Sequence, residues 1–133
     1  MNDTEHLTNI TEVGRVIVPV TDQDRALDFY AGKLGFETRT DSGPGGDMRW
    51  LEVAPPQART TIALVPPRGG MWGAPGIDTR ISLTTTDIDA DHTKLRARGV
   101  DADEEILRLG NFVPPMFFFR DPDGNTLQVV QAD

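Results

Sequence analysis

Two stretches of the chain share one order of hydrophobic and polar positions. Each opens with an arginine and a run rich in β-branched residues, at positions 16–21 in the first stretch and 81–86 in the second. Such runs are typical of β-strands. An aspartate follows each run, Asp22 or Asp87, and its side chain can accept a backbone N–H bond at the start of a helix. The pattern therefore predicts a strand followed by a helix, twice.

After each aspartate, a set of mostly apolar residues recurs at helical spacing, so that they form a stripe along one face of a helix. The stripe consists of Ala26, Phe29, Tyr30 and Leu34 in the first half and of Ile88, His92 and Leu95 in the second. A glycine then follows, Gly35 or Gly99, and glycine is the usual residue just past a helix C-terminus. Both predicted helices are therefore expected to end at these glycines.

Three further strands are predicted after each helix. They lie near residues 36–40, 48–53 and 60–65 in the first half and near 102–107, 115–120 and 126–131 in the second. The Pro- and Gly-rich residues 67–77 separate the halves as a linker or a lid. The sequence thus predicts a single α+β domain over residues 1–133, made of two tandem βαβββ modules, 12–66 and 78–131.

Composition narrows the classes of function. A chain of 133 residues with 38% hydrophobic residues is long enough for one domain with a real core. The formal net charge is −8 and the 13 basic residues form no run, which argues against nucleic acid as a partner. No segment reaches the roughly 20 apolar residues that span a membrane. The lack of cysteine, and a polar arm at residues 1–11 without the order of a signal peptide, favour a cytoplasmic protein.

Two motifs, in this order of elements, resemble the vicinal-oxygen-chelate superfamily of glyoxalase I, bleomycin-resistance proteins and extradiol dioxygenases. The first is the run Asp-Gln-Asp-Arg-Ala-Leu-Asp-Phe-Tyr at 22–30 leading to Leu-Gly-Phe at 34–36, and the second is Phe-Arg-Asp-Pro-Asp-Gly-Asn at 119–125. The resemblance covers roughly residues 14–131. It implies curved, mixed sheets that enclose a cavity, and a homodimer. This fold hosts isomerases, lyases, oxygenases and plain binders, so it does not decide the function.

The resemblance also implies a divalent metal held by four side chains from the first and last strands of each half. In this chain those positions fall on Arg15, Ala63, Arg80 and Gln128. A guanidinium has no lone pair for a metal and alanine has no donor, which leaves one amide oxygen. We therefore expect no metal at the family position and no cofactor. The two histidines, His6 and His92, are interpreted as a solvated residue of the arm and a packed helix residue.

Arg15 and Arg80 stand at matching places in the halves, so they are expected either to share one cavity or to serve related cavities across a dimer. Two guanidiniums in one cavity need a negative group between them. Glu52, which shares a predicted strand face with Trp50, is one candidate. An anionic group of a ligand is the other, since arginine grips a carboxylate with two parallel hydrogen bonds. Alternatively, each arginine is a strand-end residue paired with surface acids.

Aromatic residues are abundant near these positions. Residues 116–119, Met-Phe-Phe-Phe, alternate between the two faces of a predicted strand, and the sequence leaves open which face lines the cavity. Phe117 and Phe119 are the candidate wall residues, together with Gln128. Met71 and Trp72 in the linker are interpreted either as a gate over the pocket or as a dimer contact or loose loop. Such an apolar, aromatic pocket is typical of a small-molecule site.

Three functions fit these features. The preferred hypothesis is a glyoxalase/bleomycin-resistance-like protein that binds an organic metabolite or drug without the family metal. The alternative is an enzyme, a lyase, isomerase or dioxygenase, with a shifted metal site or with acid–base chemistry by Glu52. The third is a dimeric interaction module with a vestigial pocket. The sequence leaves open whether the chain catalyses a reaction.

Overall fold

The first module forms a four-stranded sheet with one helical segment on it. Its strands are β1 (Arg15–Pro19), β2 (Glu37–Ser42), β3 (Trp50–Ala54) and β4 (Thr61–Val65), and its helix α1 (Gln23–Leu27) continues as a π-helical segment (Asp28–Lys33). The strand order is β1-β4-β3-β2. β1 runs parallel to β4, and the other neighbours are antiparallel.

The second module repeats this arrangement. It contains β5 (Asp78–Thr85), α2 (Ile88–Ala97), β6 (Asp101–Ala102), β7 (Met116–Arg120) and β8 (Thr126–Gln131). The strand order is β5-β8-β7-β6, again with the first and last strands parallel. The predicted α+β fold of two βαβββ modules is therefore confirmed.

The computed structural model describes residues 7–45 and 48–132. Most of the predicted polar arm, with His6, lies outside the described residues. Within them, no helix is long and apolar enough to cross a membrane.

Both helical segments begin and end where the sequence predicted. Asp22 and Asp87 each accept, at 3.1 Å, the backbone N–H of the residue three positions on. Gly35 (φ +79°) and Gly99 (φ +80°) turn the chain into the left-handed conformation after the helices. A side chain at these two positions would be strained, which explains why glycine ends both segments.

One hydrophobic core joins the two modules. One face of each sheet contributes to it, and the helical segments lie between them. Its members include Val18, Leu51, Val53, Ile62 and Leu64 of the first sheet, Phe117, Phe119, Leu127 and Val129 of the second, and Phe29, Tyr30, Ile88 and Leu95 of the helical segments. Across the modules, the ring of Phe29 lies 6.3 Å from that of Phe119.

The other face of each sheet points away from this core, because side chains alternate along a strand. We call these the first and the second open face. The first carries Arg15, Ile17, Trp50, Glu52, Thr61 and Ala63, and the second carries Ser82, Met116, Phe118, Gln128 and Val130.

The strand predicted at residues 102–107 is interrupted. Regular pairing with β7 covers only residues 101 and 102, and it resumes at a single bridge between Leu107 and Met116. The backbone N–H of Asp103 still bonds to the carbonyl of Phe118. The chain therefore advances four residues from Asp103 to Leu107 while β7 advances two, which forces a bulge. The prediction of a continuous strand is corrected accordingly.

A buried polar network ties the turn before β8 to the first module. Asn125, fully buried, donates from Nδ2 to the carbonyl of Pro19 and to the Asp121 carboxylate, both at 2.9 Å. Its Oδ1 accepts the backbone N–H of Gly76 at 2.8 Å. Tyr30 donates its hydroxyl to Asp121 at 2.8 Å. Burial and the Asp121 carboxylate raise the pKa of Tyr30 well above its usual value, so the hydroxyl keeps the proton that it donates.

Replacing Asn125 by alanine should destabilise the fold by roughly 2–4 kcal/mol, because it leaves several buried polar groups without a partner. The measurement is the free energy of unfolding from urea titration. Asn111→Ala, at an exposed loop position, is the matched control and should change it by less than about 0.5 kcal/mol. Equal stability of the two variants would mean that the network does not hold the modules together.

Candidate functional site

A carboxylate with three donors around it occupies the first open face. Glu52 lies in the middle of β3 and is 6% exposed. Its Oε2 accepts hydrogen bonds from Arg15 Nε at 3.0 Å and from the Trp50 indole N–H at 2.5 Å. Its Oε1 accepts one from the Thr61 hydroxyl at 2.6 Å. The structure thus brings together three residues that the sequence had singled out, with Glu52 at their centre.

The register of the sheet explains this cluster. Arg15 pairs with Thr61 across β1 and β4, and β3 is the next strand. Trp50 stands two residues from Glu52 and so shares its face. Thr61 was not predicted as a site residue, since its place beside Glu52 follows only from the pairing of β3 with β4.

Glu52 is held as a carboxylate. Burial by itself would raise its pKa, but the hydrogen bonds from Thr61, Trp50 and Arg15 outweigh burial and lower the pKa below its usual 4.5. The Arg15 side chain is 54% exposed, so its Nε is tethered to Glu52 while the rest of the guanidinium lies towards solvent. The cluster is therefore an ion pair with one buried and one accessible partner.

The connection between the modules, residues 66–77, lies next to this cluster. Its Trp72 ring sits edge-on, 6.5 Å from the ring of Trp50. Ala54, Ala63 and Val65 are buried although they are not members of the core, so the first open face is partly covered. Nε of Arg68 is buried with no hydrogen-bond partner in the described part of the chain. The connection thus places an indole ring beside the Glu52 cluster.

The second open face carries a cavity of about 280 Å³. It is lined by Asp78, Arg80, Ile81, Phe118, Leu127 and Gln128. Gln128 on β8 lies opposite Phe118 on β7 and Ser82 on β5. Two of the predicted site residues, Arg80 and Gln128, therefore border one cavity.

The aromatic wall of this cavity differs from the expectation. Phe117 and Phe119 are fully buried in the core, and Phe118 faces the cavity instead. The hydrophobic residues of β8 decide this, since Phe117 and Phe119 lie opposite Val129 and Leu127 in the core. The sequence alternation was correct, but only the strand pairing shows which face is which.

Arg15 and Arg80 do not meet within the chain. Arg15 contacts Glu52 on the first sheet, whereas the cavity at Arg80 consists of residues of the second module. Both open faces point away from the shared core, so Arg15 lies at the first open face and Arg80 at the second. The expected convergence is therefore absent from a single chain, and the alternative of related cavities across a dimer remains.

The donor set does not fit the metal of the family's enzymes. Arg15, Ala63, Arg80 and Gln128 supply one amide oxygen among them. In the described ranges, no three side chains among His, Asp and Glu come close enough to share a metal ion. His92 packs edge-on against Phe117, with ring centroids 4.9 Å apart, and its Nε2 lies 2.7 Å from the carbonyl of Asp103.

The sequence model of the glyoxalase/bleomycin resistance protein/dioxygenase superfamily matches residues 12–129. The chain therefore belongs to this superfamily. It is 33% identical over 118 residues to the uncharacterized protein YetH of Bacillus subtilis, which is 87% of this chain and 94% of that protein.

Two solved structures are similar over nearly their whole length. A superfamily member from Sphaerobacter thermophilus has a TM-score of 0.85 at 36% identity, with 94% of this chain and 100% of that chain covered. TnmS3, an antibiotic binding protein from Streptomyces sp. CB03234, has a TM-score of 0.78 at 36% identity, with 95% and 99% covered.

Replacing Glu52 by glutamine should destabilise the protein at neutral pH by roughly 1–3 kcal/mol, because an amide N–H₂ then meets the donors that the carboxylate satisfied. A carboxylate with a lowered pKa stabilises the fold above its usual value of 4.5, and this contribution is lost as the pH falls through the folded pKa. The difference between parent and variant should therefore shrink below about pH 4.5. Urea unfolding at several pH values measures it.

Glu105→Gln, at an exposed position, is the control and should follow the parent at every pH. A stability difference between Glu52→Gln and parent that stays constant down to pH 3 would contradict the assigned charge state of Glu52.

Proposed function

We propose that this protein binds an organic small molecule, with aromatic character, between its open faces and without the metal of the family's enzymes. The observation that carries the proposal is the first open face. Where the superfamily's enzymes hold a metal, this chain has an arginine tied to Glu52, next to the indoles of Trp50 and Trp72. Indole rings offer a large, flat contact surface, which suits recognition of aromatic molecules.

The similarity to TnmS3 supports the same proposal. That protein is an antibiotic binding protein, and the match at 36% identity covers 95% of this chain. A drug or a related natural product is therefore a reasonable ligand class for this chain. Sequestration of such a molecule requires no catalytic group, and binding alone would suffice.

An enzyme with Glu52 as general base is the less favourable alternative. A general base needs a pKa near the working pH and a free lone pair within reach of the substrate proton. Glu52 has a pKa held below 4.5, and its two oxygens already accept three hydrogen bonds. It is therefore a weak proton acceptor in this arrangement.

We further propose a homodimer in which the first open face of one protomer lies over the second open face of its partner. Each face is walled on one side only, and Met116, Phe118 and Val130 of the second face are half-buried apolar residues that a partner could cover. The ligand would then contact Trp50 from one protomer and the Arg80 cavity from the other.

Intrinsic fluorescence tests the binding function directly, because Trp50 and Trp72 are the only two tryptophans of the chain. A screen of aromatic natural products, drugs and simple aromatic acids, amines and amides should find ligands that change this fluorescence saturably and raise the melting temperature. At a concentration 100-fold above Kd, a ligand stabilises the native state by about 2.7 kcal/mol. The response should be the same with and without EDTA.

Trp72→Phe should lose much of the fluorescence response while keeping the fold. Turnover of a ligand, or binding abolished by EDTA, would argue for the enzyme instead. Absence of any ligand effect on melting across the screen would favour the interaction module.

Sedimentation equilibrium should give a mass near twice the 14.6 kDa of the chain at micromolar concentration. Phe118→Asp, which places a charge on the second open face, should shift the population to monomer, because a buried unpaired carboxylate is costly. Leu109→Asp, at an exposed position in the loop before β7, is the control. A parent that sediments as a monomer would rule out the shared cavity.

A further inference from the structure

Arg15 and Arg80 stand at matching places in the two halves, but their strands differ in regularity. Arg15 lies on a strand in unbroken register with β4, and its Nε is bound to Glu52. Arg80 lies on β5 at an irregularity. Between the pairs Asp78–Thr126 and Ser82–Gln128, β5 advances four residues while β8 advances two. The extra residues form a bulge, and bulges re-aim side chains.

The backbone of Arg80 is strained. Its φ is +59°, in the left-handed region that residues with a Cβ rarely adopt. Ten of the twelve described residues with positive φ are glycines, and Arg80 and Gln57 are the two others. Most such positions in this chain are glycine, whereas the side chain at position 80 is held on a strained backbone.

The guanidinium of Arg80 is unengaged in the described part of the chain. Among the described residues this side chain has no hydrogen-bond partner and no carboxylate within 4.0 Å, although Asp78 borders the same cavity. The carboxylate of Asp78 accepts the backbone N–H of Arg80 at 3.1 Å, so it supports the bulge. The arginine is thus a free double donor at the edge of a cavity walled by Phe118 and Gln128.

We infer that Arg80 is the residue that selects an anionic aromatic ligand, gripping its carboxylate or a similar group while the ring lies against Phe118. This inference rests on the proposed function and adds the ligand's charge to it. Arginine binds a carboxylate through two parallel charge-assisted hydrogen bonds. Gln128 can donate to or accept from a further polar group of the ligand. Arg15, by contrast, is already neutralised by Glu52.

Two probes of equal shape test the selection of charge. 2-Naphthoate carries a carboxylate, and 2-naphthamide replaces it with a neutral amide. By calorimetry, the parent should bind the naphthoate about tenfold or more tightly than the amide. Arg80→Met should weaken only the naphthoate, until both probes bind alike. Arg59→Met, which removes an exposed charge elsewhere, should leave both affinities unchanged.

Equal binding of both probes by the parent, or a preference for naphthoate that survives in Arg80→Met, would overturn the inference and leave the small-molecule function standing. A parent that binds neither probe but does bind neutral or cationic molecules of the wider screen would also overturn the inference without removing the small-molecule function. A parent that binds nothing in that screen would remove the proposed function itself.

A second pair of variants tests the strain. Arg80→Gly and Gln57→Gly remove a Cβ from the two left-handed positions, so each should raise the melting temperature by a few degrees. Only Arg80→Gly should lose the preference for naphthoate. An Arg80→Gly protein that melts below the parent would contradict a strained backbone held for the side chain.

Discussion

The arrangement of the two modules depends on a small polar network in an otherwise apolar interior. Asn125 and Asp121 satisfy each other, and both reach across to the first module, at the carbonyl of Pro19 and the hydroxyl of Tyr30. Because these groups are buried, a placement of the modules that breaks these bonds leaves polar atoms unpaired. The hydrophobic core favours contact of the modules in general, whereas this network selects one contact. The network also anchors the connection between the modules at Gly76, four residues after Trp72.

Much of the fold could be predicted because its signals are local. The capping aspartates, the helical stripes and the two terminal glycines act within a few residues, and the structure has all of them. The interrupted strand after Ala102 and the irregularity at Arg80 were not foreseen. Both result from a mismatch of two residues between paired strands, and such a mismatch is a property of the pairing and not of either strand alone.

In the candidate site, too, some features could be predicted from local sequence and others depend on strand pairing. The sequence offered Glu52 as one of the negative groups that could neutralise Arg15. The structure shows that Glu52 is the partner of this arginine. The sequence could not separate Arg15 from Arg80, since both precede their aspartates by seven residues. Nor could it choose between the faces of the strand at Met116–Arg120, because every one of its three phenylalanines suits either a core or a pocket. Cross-strand neighbours decide these questions, and they are distant in sequence.

The halves resemble each other in outline but are not interchangeable. Tyr30 stands eight residues after its capping aspartate, and Leu95 stands at the same place after the other. Asp121 and Asn125 belong to the second half alone. A chain made by duplicating the first half would have the phenol and no acceptor for it, and one made from two second halves would have the acceptor facing a leucine. The difference between Tyr30 and Leu95 therefore makes two unlike halves necessary for a network in which every buried polar group has a partner.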